Sequence, residues 1–375
     1  MRLPAIRRLA KRILFSLLAL LCVFLIAVLC FAARCASVQK PLKRLSEPVR
    51  QGRIVAAEIR DYARQEEDTY LTYPEWYIVW SYQEKADFQE KHLPSEFPYF
   101  GAIQQYWSGY CCVYGLTRGR YPFNIGDHVM LSVIGTSFSL EYAIKGLYEK
   151  TVGRLSEWIS SHQPVEEDAY AYRVAREYAD FVHVRPFYEF SFWKEFLGLW
   201  KQTSLWGPHT VRKWERKAFL SLDYAVEAFY CWLIEKATRA SYGIEPADTY
   251  AWIENAPDGI FAPGSRVREV KAAGPQSFVV ILPRYQEFTT IASQLARRDV
   301  HFVEVAGNDE ILLTAIAPRD WKYEPNLHGE FLFSTDILTQ PGVRRIAVRS
   351  AVRSLHTVLN ELADRGIKLE HVYDY

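Results

Sequence analysis

Hydrophobic positions fall unevenly along the chain. Residues 13–33, ILFSLLALLCVFLIAVLCFAA, form an unbroken apolar run with no charge and with Ser16 as the only strongly polar side chain. At about 1.5 Å per residue such a helix reaches roughly 30 Å, the hydrocarbon thickness of a bilayer, and the run predicts one N-terminal transmembrane helix. It is longer than the apolar core of a signal peptide, and no A-x-A cleavage site follows. Leu29 and Arg34, before Cys30 and Cys35, are not the small residues of a lipoprotein site. Basic residues flank the run on both sides, so their count does not orient it. A short basic tail, 1–12, stays in the cytoplasm more readily than a long domain, which places the bulk of the chain on the outer side.

Beyond a charged connector, 34–66, the period becomes helical over 67–243. Thr72-Tyr-Pro-Glu75 has capping-box spacing and opens a helix that is aromatic on entry and charged on exit. A second helix runs through the aromatics up to Tyr114. A long helical stretch covers 128–160, and further helices cover 165–181, 187–201 and 211–240. The apolar string VMLSVIGTSFSL raises the question of a second span, but Glu141 and Lys145 follow it closely and are costly in lipid. The string FYEFSFWKEFLGLWK alternates aromatic and charged faces as an interfacial helix does. Pro and Gly punctuate 244–274, which predicts a linker. In 275–375 strands are expected at 278–282, 301–306, 311–317, 343–348 and 369–373, with helices at 285–297 and 352–365. Gly307-Asn308-Asp309 is expected as the turn of a hairpin between two of those strands. The fold class predicted is therefore one N-terminal transmembrane helix, an aromatic-rich helical domain and a C-terminal ferredoxin-like α+β sandwich.

Composition narrows the chemistry. A net charge of +1 gives no field to draw nucleic acid. Aromatics make up 15 % of the residues, with 11 Trp and 24 Tyr, which suits an aromatic core or a lipid interface. The six cysteines contain no C-x-x-C, and nothing in the spacing of the vicinal pair Cys111-Cys112 supports a bridge to Cys231. No GxGxxG, Walker A loop, HExxH or GxSxG occurs. Asp180-Phe-Val-His183 has the carboxylate-x-x-His spacing of a di-iron bundle, but a bundle needs two such motifs. No metal, cofactor or catalytic residue is predicted.

The most informative feature is internal. Ser139–Tyr148, SLEYAIKGLY, matches Ser221–Tyr230, SLDYAVEAFY, at five identical and four chemically similar positions. Each copy carries an ionisable pair one turn apart: Glu141 with Lys145, and the like-charged Asp223 with Glu227. If the apolar stripes Leu140/Ile144/Leu147 and Leu222/Val226/Phe229 face one another, Lys145 meets the two acids in a polar cluster beneath the aromatics. The competing expectation puts both pairs on solvent faces, since charged side chains are rarely buried.

The strings YPEWYIV (73–79), FPYFGAI (97–103), EYAIKGLYEKTVGRL (141–155), GPHTVRKWER (207–216) and LEHVYDY (369–375) resemble those of a group of uncharacterised proteobacterial membrane proteins. The resemblance implies a bacterial envelope protein in the inner membrane and no particular chemistry. The function expected is a non-catalytic, membrane-anchored scaffold or assembly protein whose partners are the lipid bilayer and another protein. The alternative is an enzyme or carrier acting on a lipid or quinone, with Glu141, Lys145, Asp223 and Glu227 at its site.

Overall fold

A computed structural model describes residues 31, 34, 35, 37–45, 58, 59, 62–241, 247–262, 264–324 and 327–375. The helical part comprises α1 (Tyr73–Gln89), α2 (Tyr99–Thr117), α3 (Ile125–Tyr148), α4 (Arg154–Ile159), α5 (Glu166–Val182), α6 (Phe192–Gln202) and α7 (Thr210–Ser241). A π-helical turn, Glu149–Gly153, joins α3 to α4. The capping box expected at Thr72 does not form. A single helical turn, Asp68–Leu71, runs almost directly into α1, and the Thr72 hydroxyl donates back to the Asp68 carbonyl at 2.8 Å.

Aromatic rings fill the core between α1, α2 and α3. Tyr73, Trp76, Tyr77, Trp80, Tyr99, Tyr106, Phe138 and Tyr142 are all buried there. Most neighbouring pairs meet edge to face, as ring quadrupoles favour. Close approach of α2 and α3 requires Gly135, where an added Cβ would lie 2.1 Å from the Tyr106 ring. That proximity lets the Tyr106 hydroxyl donate to the Leu131 carbonyl at 2.6 Å.

The membrane-spanning architecture expected from the sequence is corrected here. Among the described residues no helix is long and apolar enough to cross a membrane, α3 and α7 included. The span expected at 13–33 lies outside the described residues, and so does the basic tail 1–12. Single-pass placement in an inner membrane thus finds no helix to carry it among the described residues.

The C-terminal part is also rearranged. Its strands are β1 (Asp248–Glu254), β2 (Arg268–Gly274), β3 (Ser277–Pro283), β4 (His301–Val305), β5 (Glu310–Pro318), β6 (Glu330–Asp336), β7 (Val343–Ala351) and β8 (Lys368–Val372); its helices are α8 (Gln286–Arg297) and α9 (Leu355–Asp364). The stretch 244–274, expected as a linker, contains β1 and β2. Instead of one ferredoxin-like sandwich there are two four-stranded antiparallel sheets, ordered β2-β3-β1-β4 and β6-β7-β5-β8. The two units trace the same path: three strands, a helix, then a fourth strand beside the first. In each, the first two strands run parallel with the third between them, and a loop stands where a βαβ crossover would place a helix.

Gly307-Asn308-Asp309 is not a hairpin turn. β4 pairs with β1 and β5 with β7 and β8, so this segment carries the chain from one sheet to the other. Pleat alternation explains the layering. Ile311, Leu313, Ala315 and Ala317 join Ala251, Val280, Phe288, Leu295 and Leu359 in the core shared by both sheets and both helices. Leu312 points the other way, and with Phe333, Ala347 and Tyr373 it enters the aromatic core of the helical part. The helical and strand-rich parts therefore share one core.

The C-terminal motif seals this contact. His371 lies 3.6 Å from Trp76 ring to ring, and Asp374 pairs with Arg284 at 3.2 Å. A disulfide joins Cys35 to Cys111, while Cys112 and Cys231 are free and buried. The bridge to Cys231 weighed from the sequence does not form.

Candidate functional site

Buried charges on α7 organise the helical part. Arg212, Arg216, Asp223 and Glu227 recur at helical spacing along its inner face, and Lys213 and Lys217 flank them. On α3 the corresponding inward positions hold Glu141 and Lys145. The two helices lie antiparallel, as paired contacts show: Tyr230 bonds Ser137 at 3.2 Å, while Tyr148 stacks on Phe219 with centroids 3.9 Å apart.

The predicted polar cluster forms. Lys145 Nζ sits 2.8 Å from Glu141, 3.0 Å from Asp223 and 3.1 Å from Glu227. Tyr82 caps the group by donating to Glu141 at 2.7 Å. The geometry behind it is the reverse of the expected one. Leu140, Ile144 and Leu147 are 58–63 % exposed, and Leu222, Val226 and Phe229 are 57–66 % exposed. The stripes point outward, and the charges occupy the seam.

Electrostatics follow from that burial. Burial alone would lower the Lys145 ammonium, but Asp223, Glu141 and Glu227 together outweigh it and hold the pKa well above the usual value. Burial likewise works against ionised Glu141, but Lys145 and Lys85 overcome it and keep this carboxyl low. Glu227 bears the cost of the crowding. Burial, with repulsion from Glu141 and Asp223, pushes it up to about 7 despite Lys145. Lys85, held low by burial and by Lys145, lies over the rings of Tyr99 and Tyr142.

A second network continues along α7. Arg212 bonds Ser156 at 2.7 Å and pairs with Asp168 and Glu215, each at 3.0 Å. Arg216 pairs with Glu149 at 2.7 Å and Asp168 at 2.9 Å. Lys213 reaches Glu166 and Glu167, and Lys217 reaches Glu167. None of these residues was expected in a site. The legible signal is the string RKWERK, which puts four cations on two adjacent rows of one helix.

Two clefts open elsewhere on the described surface. One, of about 430 Å³, is lined by Tyr170, Arg173, Trp193 and Glu195; the other, of about 490 Å³, lies among Ala256, Asp258, Phe261 and Phe278. Neither is lined by a member of the Lys145 cluster. Every charge in the cluster has an opposite partner, an arrangement that fixes the α3–α7 register. Among the described residues the Asp180/His183 pair gathers no further ligand: His183 Nδ1 lies 2.7 Å from the Ala179 carbonyl and Asp180 is exposed. Comparison with family models, curated proteins and solved structures finds no match to this chain.

Proposed function

We propose that this is a non-catalytic docking protein whose helical part seats on an anionic lipid surface without crossing it. One observation carries the reading: polarity on α3 and α7 is inverted. Asp127, His128, Glu141 and Lys145 on α3 are buried or half-buried, and so are all seven charged residues of α7 between Val211 and Leu233. The exposed large side chains of these helices include Ile125, Val129, Val133, Leu140, Ile144 and Leu147 on one, and Val211, Trp214, Leu222, Val226, Phe229 and Trp232 on the other; Ser132 and Thr136 are the exposed polar positions of α3, and Lys236 lies beyond the stripe on α7.

This face runs for roughly 34 Å without an exposed charge. Its six central side chains alone expose on the order of 600 Å², the upper end of the largest patch on an ordinary monomer. Lipid is favoured over a protein partner by the rim. Trp158, Trp206 and Trp214 are exposed around the α4 end of the face, beside the exposed cations Lys150 and Arg154, while Glu149, Glu157 and Glu215 there turn inward. Tryptophan with exposed Lys and Arg beside an apolar face suits the headgroup boundary of an anionic leaflet. Exposed Trp193 and Trp200 on α6, with Lys201, extend the same pattern, while Lys194 pairs with buried Glu195 at 3.4 Å.

Vesicle flotation tests this. The full chain should float with phosphatidylcholine vesicles containing phosphatidylglycerol, and less with phosphatidylcholine alone. Leu222→Glu/Val226→Glu/Phe229→Glu should abolish binding while the chain melts as before. Unchanged flotation of that variant would assign binding to another segment, such as the apolar run 13–33, and would overturn the proposal. A stable dimer that binds no vesicle would overturn it too.

A further inference from the structure

At the α8–β4 junction three potential ligands converge, two from the turn into β4 and one from α9. Asp299 and His301 flank the turn into β4, and His356 opens α9. One ligand atom from each lies within 4.8 Å of the others. His301 Nε2 is 3.3 Å from Asp299 Oδ1, and the His301 and His356 rings lie 4.0 Å apart at 21°.

The surroundings support ligation. Asp299 has φ 59°, a left-handed conformation that Asp tolerates, and its carboxylate is oriented from behind. Asn255 donates to the Asp299 carbonyl at 2.7 Å and to Oδ2 at 3.1 Å, leaving Oδ1 turned to the imidazole. The His356 ring is half-buried, with Nε2 3.1 Å from the Thr357 hydroxyl and the Arg353 backbone beside the ring, contacts that hold it next to His301.

We propose that Asp299, His301 and His356 form a site for a divalent transition-metal ion of the Zn²⁺ or Co²⁺ type. Two imidazoles and a carboxylate match the nitrogen and oxygen preference of such ions and leave at least one position for water. The rings stack at 21°, so ligation requires them to turn about their side-chain bonds until a lone pair from each meets the ion. Because β4 is the edge strand of the first sheet and α9 packs on the second, the ion acts as a clip between the two units.

Metal titration of the tag-free full chain, followed by calorimetry with Zn²⁺ and by visible absorption with Co²⁺, tests this. One saturable site per chain and a Zn²⁺-dependent rise in melting temperature are expected. Asp299→Asn, His301→Ala and His356→Ala should each weaken binding at least 10-fold, the loss typical even of outer-shell changes. Asp299→Asn alters an exposed side chain and keeps its size, so it reports even if a histidine variant folds poorly. Absence of saturable binding, or three variants that bind as the wild type does, overturns the site.

Discussion

Removing Lys145 should cost more than removing almost any other surface-helix lysine, because three carboxylates depend on it. Its Nζ lies within 3.1 Å of all three, and the four side chains keep only 11–19 % of their accessibility. Breaking one partner of a buried ion cluster typically costs about 3–5 kcal/mol, against under about 1 kcal/mol for an exposed pair. Residual accessibility puts Lys145→Ala at the low end, about 3 kcal/mol. The loss should come mainly from repulsion among the orphaned acids. Lys145→Ala combined with Asp223→Asn and Glu227→Gln should therefore recover most of it, since Glu141 keeps the Tyr82 hydroxyl. Lys145→Met retains most of the apolar stem and separates lost packing from lost charge. Thermal melts of all three variants in mild detergent read the differences. If Lys145→Ala melts with the wild type, or the triple variant melts no higher than the single one, the electrostatic account of the α3–α7 seam fails.

Two further expectations follow from the same structure. Glu227 is raised to about 7 in the folded chain, so its stabilising share is complete below about 4.5 and is lost as pH rises through 7. The unfolding free-energy advantage of Glu227→Gln, read from melts or denaturant titrations, should grow from pH 5 to pH 8 by on the order of 1–3 kcal/mol; a difference independent of pH would contradict it. Glu67 and Asp68, raised to about 7 chiefly by burial, add to the same downward trend in the wild type and cancel in the comparison. Separately, residues 275–375 expressed alone should not fold, because they lack β1, the strand that joins β3 to β4, and leave Leu312, Phe333, Ala347 and Tyr373 bare. A cooperative melt of that fragment would refute the shared core.

Much of the local structure was legible because it rests on local physics. Helical periodicity placed α2, α5 and α7 within a few residues, and β-branched runs placed β3, β5 and β7. Turn chemistry at 307–309 was read correctly as a break. Its partner was not, since a turn says where a strand ends and not which sheet the next strand joins. β2 was missed because all of its positions are exposed and its sequence, REVKAAG, carries little apolar alternation. β1 was hidden among Pro and Gly residues that read as a linker.

The Lys145 cluster marks the boundary between the two kinds of information. The chain by itself determined that Glu141/Lys145 and Asp223/Glu227 share a helix face each, because 3.6 residues per turn leaves no other outcome for positions four apart. It also determined that an apolar stripe accompanies each pair. Which face turned inward was decided only by the tertiary structure. Arg212, Arg216, Glu149 and Asp168 lie on the same inner side as the cluster, and each buried charge needed an opposite partner from another helix. Meeting that demand fixed the rotation of α7, and the apolar stripes were left to face outward. The Asp299/His301/His356 group was beyond sequence reading for the same reason: His356 is brought beside His301 by the packing of α9 on the β4 edge, a contact that no spacing along the chain encodes.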